Sequence, residues 1–75
     1  MILNPGDVVL FKDKLTTQLK AILKKWYISE STFNEYKGTY QIITNFYEDP
    51  TYSAVIIENS PIFWPIQLLE EDNEL

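Results

Sequence analysis

The second half of the chain contains three short runs of strand-forming residues, and this pattern constrains the fold more than any other feature. The runs cover residues 38–47, 51–58 and 62–66, and turn-forming residues that include Pro50 and Pro61 separate them. Apolar runs bounded by such turns are typical of antiparallel strands, and their short lengths fit a small, strongly bent barrel. We therefore predict a mainly β fold.

The first half of the chain combines one strand with one helix. A turn at residues 4–7 precedes the apolar run of residues 8–11, which predicts the first strand. Over residues 13–26, apolar side chains recur at steps of three and four, as on one face of a helix. These inward-facing residues are Leu15, Leu19, Ile22, Leu23 and Trp26. We predict an amphipathic helix over residues 14–25, inserted after the first strand, with Asp13 as its N-cap.

Two further features concern the connections of the predicted sheet. Residues 29–37 have low apolar content, which predicts a connection that Phe33 and Tyr36 anchor to the core. Pro65 has no amide hydrogen to donate to a neighbouring strand, so the last run lies at an edge of the sheet or ends near this proline.

Side chains alternate along a strand, which predicts the face that each residue occupies. In the longest strand we expect Tyr40, Ile42 and Phe46 to face the core. Residues 8–11 and 54–57 are apolar on both faces, whereas a sheet with one solvated face alternates more cleanly. The second apolar face therefore needs a cover, either the helix or another subunit.

The composition limits the functions that the chain can carry. At 75 residues there is room for one domain, residues 1–75, with an acidic tail from about residue 70. The chain has no histidine and no cysteine, which removes the commonest general base, the common thiolate nucleophile and the usual zinc ligands. We expect a non-enzymatic protein with no cofactor and no metal. Without cysteine, and without the roughly 18 apolar residues of a membrane helix, we expect it in the cytoplasm.

Several short motifs resemble those of a known group of small barrels. They are Pro5-Gly6-Asp7-Val8-Val9, Gly38-Thr39-Tyr40-Gln41-Ile42 and Trp64-Pro65-Ile66-Gln67-Leu68-Leu69. Together they resemble the SH3-like small-barrel proteins that are common in phages and prophages. The resemblance implies an SH3-like antiparallel barrel and a role as an interaction module. The inserted helix departs from the minimal pattern of this group, and the resemblance assigns no site residue.

Two sets of residues are candidates for a binding surface. The candidate interface residues are Tyr47, Tyr52, Phe63 and Trp64. Because Phe63 and Trp64 are consecutive on a strand, they point to opposite faces, and packing inside the fold is the alternative to an interface role. The second set, Lys20, Lys24 and Lys25, could contact phosphates from the helix. A net charge of -5 disfavours nucleic acid as a partner.

These observations favour a non-enzymatic binding or assembly module that forms a homodimer. A short chain with two-sided apolar strands gains stability when one face is buried against a second copy. A host or phage protein is an alternative partner. The rival hypotheses are a nucleic-acid-associated regulator that uses the lysine-bearing helix and, more remotely, an acidic inhibitor that imitates nucleic-acid charge.

Overall fold

The computed structural model describes residues 3–70 and is mainly antiparallel β, as the sequence predicts. The elements in chain order are β1 (Val8–Leu10), α1 (Thr17–Lys25), α2 (Glu30–Asn34), β2 (Tyr40–Asp49), β3 (Tyr52–Ile57), β4 (Ser60–Pro65) and a 3-10 turn (Ile66–Leu68). The four strands form one antiparallel sheet in the order β1-β2-β3-β4. No helix among residues 3–70 is long and apolar enough to cross a membrane.

The turn before β1 is built as its sequence predicts. The Asp7 amide donates to the Asn4 carbonyl at 3.0 Å, and the Asn4 amide donates to the Asp7 carboxylate at 2.9 Å. Gly6 has a φ of +96°, a conformation that is strained for residues with a Cβ. β1 then pairs with the start of β2, with Val9 opposite Gln41.

Helix α1 confirms the amphipathic pattern but begins later than predicted. Leu19 and Leu23 are buried, and Ile22 and Trp26 are half-buried on the same side. Asp13 is not the N-cap: the Thr16 side chain accepts a hydrogen bond from the Leu19 amide at 3.1 Å, so the helix begins at Thr17. Threonine is one of the preferred N-cap residues, and Thr16 stands closer to the first apolar residue of the helix.

The connection at residues 29–37 contains a second short helix, α2, which the sequence pattern did not predict. The Ser29 hydroxyl caps it by accepting from the Thr32 amide at 3.1 Å. Phe33 is completely buried and Tyr36 is half-buried, which confirms both residues as anchors of this connection.

The faces of β2 differ from the prediction. Tyr40 and Ile42 are 71% and 41% exposed, and the buried residues in this part of the strand are Gln41 and Ile43. The register with β3 shifts by one residue between Ile43 and Asn45, which is a β-bulge. An extra residue in one strand reverses the alternation beyond it. Phe46 therefore turns toward the core, and the prediction is wrong for Tyr40 and Ile42.

Strands β3 and β4 confirm two predictions. In β3, Ala54, Val55 and Ile57 are all buried, so both faces of this strand are covered. β4 lies at the edge of the sheet and ends at Pro65. A proline is tolerated at this position because it has no amide hydrogen to donate to a further strand.

Three aromatic rings at the centre of the core form the inner aromatic cluster, which consists of Phe11, Tyr36 and Trp64. The Trp64 ring centroid lies 5.1 Å from that of Phe11 and 5.5 Å from that of Tyr36, both in edge-to-face arrangements. Phe11 and Trp64 have no exposed surface. This packing combines a large buried area with the ring geometry that aromatic pairs prefer.

The segment after β4 returns to the end of β1. Leu69 forms an isolated antiparallel bridge with Phe11. The Lys12 amide donates to the Leu68 carbonyl at 2.8 Å, and the Glu70 amide donates to the Leu10 carbonyl at 2.7 Å. The predicted acidic tail continues from Glu70 into residues that lie outside the described part of the chain.

Candidate functional site

A groove between α1 and the β3–β4 part of the sheet is the candidate site. Its volume is about 430 Å³, and its lining residues are Ile22, Lys25, Trp26, Thr51, Tyr52, Phe63 and Gln67. The helix presents Ile22 and Lys25 to it because these residues stand three positions apart on one flank of the apolar stripe. The β2–β3 hairpin provides Thr51 and Tyr52, and the edge strand provides Phe63.

Three partly exposed rings, Trp26, Tyr52 and Phe63, line this groove. With Tyr47, which packs against Phe63, they form the aromatic surface. Trp26 and Tyr52 pack edge to face with ring centroids 5.4 Å apart, and Tyr47 and Phe63 pack with centroids 5.2 Å apart. Tyr47, Tyr52 and Phe63 are between 42% and 46% exposed. Large rings in this state retain apolar area that a partner could bury.

The sheet explains why three of these rings share one face. Tyr47 is paired with Ala54, and Ala54 is paired with Pro65, so these residues form one cross-strand row. Tyr52 and Phe63 each stand two positions from a member of that row, which places their side chains on the same face. Ala54 and Pro65 have almost no exposed surface. The three rings therefore surround two small or compact residues, Ala54 and Pro65, on this face of the sheet.

The charges around the groove have both signs. Lys25 lines it from the end of α1. On the hairpin side, the Asp49 carboxylate accepts from the amide and hydroxyl of Thr51 at 3.0 and 2.9 Å, which holds a negative group beside a lining residue. Lys25 and Asp49 are both exposed.

The structure keeps three of the four predicted interface residues together and moves the fourth elsewhere. Tyr47, Tyr52 and Phe63 all belong to the aromatic surface. Trp64 does not, because it is completely buried in the inner aromatic cluster. Its inclusion as an interface residue is therefore corrected: β4 directs Phe63 outward and Trp64 inward, as the alternation of a strand requires.

The predicted phosphate contacts occupy a different position. Lys20, Lys24 and Lys25 are all exposed on α1, but of the three only Lys25 lines the groove. The remaining lining residues, among them Trp26, Thr51 and Gln67, were missed as site residues. The helical period had assigned Trp26 to the core, and its place at the last turn of α1 is the signal that could have suggested a border position.

A second exposed apolar area lies on β1 and β2, and we name it the strand patch. It consists of Val8, Tyr40 and Ile42, which are 59%, 71% and 41% exposed. Val8 and Ile42 are directly paired across the two strands. The strand patch exists because Tyr40 and Ile42 face solvent and not the core. It serves as a control surface for the aromatic surface, because it is also apolar and exposed.

Gln41, a buried polar residue of β2, makes its hydrogen bonds inside the fold. The Gln41 amide is 9% exposed; its oxygen accepts from Asn59 at 3.0 Å, and its nitrogen donates to the Thr39 hydroxyl at 2.9 Å. The Tyr36 hydroxyl donates to the Asn59 carbonyl at 3.1 Å in the same cluster. These groups hold the loops together and are not aimed at a ligand. Within residues 3–70, no three His, Cys, Asp or Glu side chains cluster as a metal site would require.

Comparisons with known proteins found no match, whether with models of protein families, with curated protein sequences or with solved structures.

Proposed function

We propose that the protein is a non-enzymatic assembly module whose copies associate through the aromatic surface. The observation that carries the proposal is the exposure, between 42% and 46%, of Tyr52 and Phe63 in the groove lining and of Tyr47, which packs against Phe63. Tyrosine, tryptophan and phenylalanine are enriched at the buried centres of protein interfaces, because they bury a large area. A chain of 75 residues also gains much of its stability from any apolar surface that it can bury.

Charge complementarity supports a second copy as the partner. The chain has a net charge of -5, so two copies repel each other unless the contact itself compensates. Lys25 and Asp49 give the aromatic surface one group of each sign on two different elements. In a two-fold symmetric contact, Lys25 of one copy can face Asp49 of the other, and this pair forms twice. This pairing would compensate part of the repulsion between the two acidic copies.

The proposal includes an SH3-like small-barrel architecture of the phage and prophage type, in the cytoplasm. The sequential antiparallel strand order supports this architecture, and so does the bridge between Phe11 and Leu69, which brings the segment after β4 back to the end of β1. The absence of histidine and cysteine supports a non-enzymatic role. A nucleic-acid interface on α1 has less support, because the chain is acidic and Lys20 and Lys24 do not line the groove.

Sedimentation equilibrium at micromolar concentration tests the proposal. The test variant is Phe63→Asp, and the matched control is Tyr40→Asp, which places the same charge on the strand patch. Circular dichroism checks that both variants keep the fold. We expect a dimeric wild type, a monomeric Phe63→Asp variant and a dimeric Tyr40→Asp variant. A monomeric wild type contradicts the proposal, and so does dissociation by Tyr40→Asp with a dimeric Phe63→Asp variant.

A further inference from the structure

The residue that ends α1 combines an unfavourable backbone with an exposed ring. The Tyr27 amide donates to the Lys24 carbonyl at 3.1 Å, and the Ile28 amide donates to the Leu23 carbonyl at 2.9 Å. These two bonds form a Schellman motif, which places Tyr27 in the left-handed region with a φ of +59°. Glycine is the usual residue at this position, because a side chain is strained there.

Packing on both sides fixes this strained conformation. Leu23 and Ile28 are 1% and 8% exposed, and they provide the apolar contact that accompanies the motif. The chain cannot relax Tyr27 without moving Ile28 out of the core. Glycine or asparagine at position 27 would satisfy the same hydrogen bonds at lower cost.

The Tyr27 side chain does not contribute to the packing of the core. It is 96% exposed, the highest value among the large hydrophobic residues that are exposed in the described part of the chain. Strained residues that bring no local stability are concentrated at functional sites, where their side chains serve another purpose. Tyrosine suits contact with a partner, because its ring covers a large area and loses little conformational freedom.

Tyr27 does not line the groove, but its two preceding neighbours in the chain do. It directly follows Lys25 and Trp26, which both line the groove, and Trp26 packs against Tyr52 at 5.4 Å. We infer that Tyr27 is a contact residue of the aromatic surface and packs on the second copy when two chains associate. This inference rests on the proposed self-association. In a two-fold contact the ring contributes twice, so its removal has a doubled effect.

Three variants separate the ring from the strain. Tyr27→Gly and Tyr27→Asn remove the ring and tolerate the left-handed backbone, whereas Tyr27→Phe keeps both the ring and the strain. Association is measured by sedimentation equilibrium. Thermal unfolding is measured with each substitution placed in the Phe63→Asp background, where association does not contribute to the melting temperature.

We expect Tyr27→Gly and Tyr27→Asn to weaken dimerisation at least about tenfold, as loss of an interface aromatic does. Tyr27→Gly should raise the melting temperature by about 4 °C or more, because the strain is released. Tyr27→Phe should leave both quantities close to those of the parent. If wild type is a dimer and the two ring-less variants dimerise equally well, the inference fails while self-association stands. If wild type is a monomer, both fail.

Discussion

Two groups of aromatic rings use the same packing geometry and end in opposite environments. In the inner aromatic cluster and in the aromatic surface, ring centroids lie between 5.1 and 5.9 Å apart, mostly edge to face. Phe11 and Trp64 of the inner cluster have no exposed area. Phe63, the chain neighbour of Trp64, is 46% exposed.

The difference lies in what covers each group. Leu69 forms a backbone bridge with Phe11 of the inner cluster, and the polar cluster around Gln41 holds the loops beside it. The aromatic surface has α1 on one side, and among residues 3–70 no comparable cover lies on the other. Ring geometry alone therefore does not tell a core from a contact surface. The comparison predicts that the inner rings determine stability and that the outer rings determine association.

The largest expected effect comes from truncating the two neighbouring aromatics of β4. Trp64→Ala should lower the free energy of unfolding by about 3 to 5 kcal/mol, because it leaves a cavity in the core. Phe63→Ala should cost less than about 1 kcal/mol in the monomer, because half of this ring is already in water. Urea unfolding at low protein concentration measures both. Equal losses would show that the two faces of β4 are not distinct.

Helix α1 carries Leu23 of the core and leads into Trp26 of the aromatic surface, so its residues sharpen the comparison. Leu23→Ala should cost about 2 to 5 kcal/mol, because this side chain is 1% exposed and packs in the core. Lys24→Ala, its exposed neighbour, should change the free energy of unfolding by less than about 0.5 kcal/mol. A similar loss in both variants, measured by chemical unfolding, would contradict the assignment of the inward face.

A smaller effect tests how the helix that carries Trp26 begins. Thr16→Ala should cost about 1 kcal/mol, because the Leu19 amide loses its hydrogen-bond partner. Asp13→Ala is the control, and it should have little effect. The same unfolding assay compares them. If Asp13→Ala lowers the free energy of unfolding more than Thr16→Ala does, Asp13 is the N-cap, as the sequence predicts, and the assignment of Thr16 is contradicted.

The sequence predicts the elements of this fold well, because they follow from local patterns. The helical period of α1, the turns around Pro50 and the edge position of β4 all depend on residues near one another in the chain. The faces of β2 could not be predicted, because the bulge near Thr44 depends on how β2 and β3 pair. Once the register shifts, Tyr40 and Ile42 turn to solvent although their apolar character suggests the core.

The candidate site was predicted in part for a similar reason. Tyr47, Tyr52 and Phe63 were identified as candidates because consecutive apolar residues on a strand cannot all face one core. Which of them is exposed also depends on the bulge in β2 and on the packing of Ala54 and Pro65. Which of Phe63 and Trp64 fills the core depends on packing against Phe11 and Tyr36, which are distant in the sequence. The strained backbone of Tyr27 could not be predicted from the sequence either, because glycine or asparagine, not tyrosine, is the usual residue at a left-handed helix end.

The two tryptophans allow the most direct test of the central claim, because one lies in each aromatic group. In a Trp64→Phe variant, fluorescence reports on Trp26 alone, and a Trp26→Phe variant reports on Trp64 alone. The Trp64 indole nitrogen has no hydrogen-bond partner in the described part of the chain, so phenylalanine loses no hydrogen bond there. Far-UV circular dichroism checks that both variants keep the fold.

The measurement is acrylamide quenching over protein concentrations from nanomolar to high micromolar. If copies associate through the aromatic surface, quenching of Trp26 decreases as the concentration rises, while quenching of Trp64 is weak throughout. Quenching of Trp26 that is the same at every concentration would contradict the account.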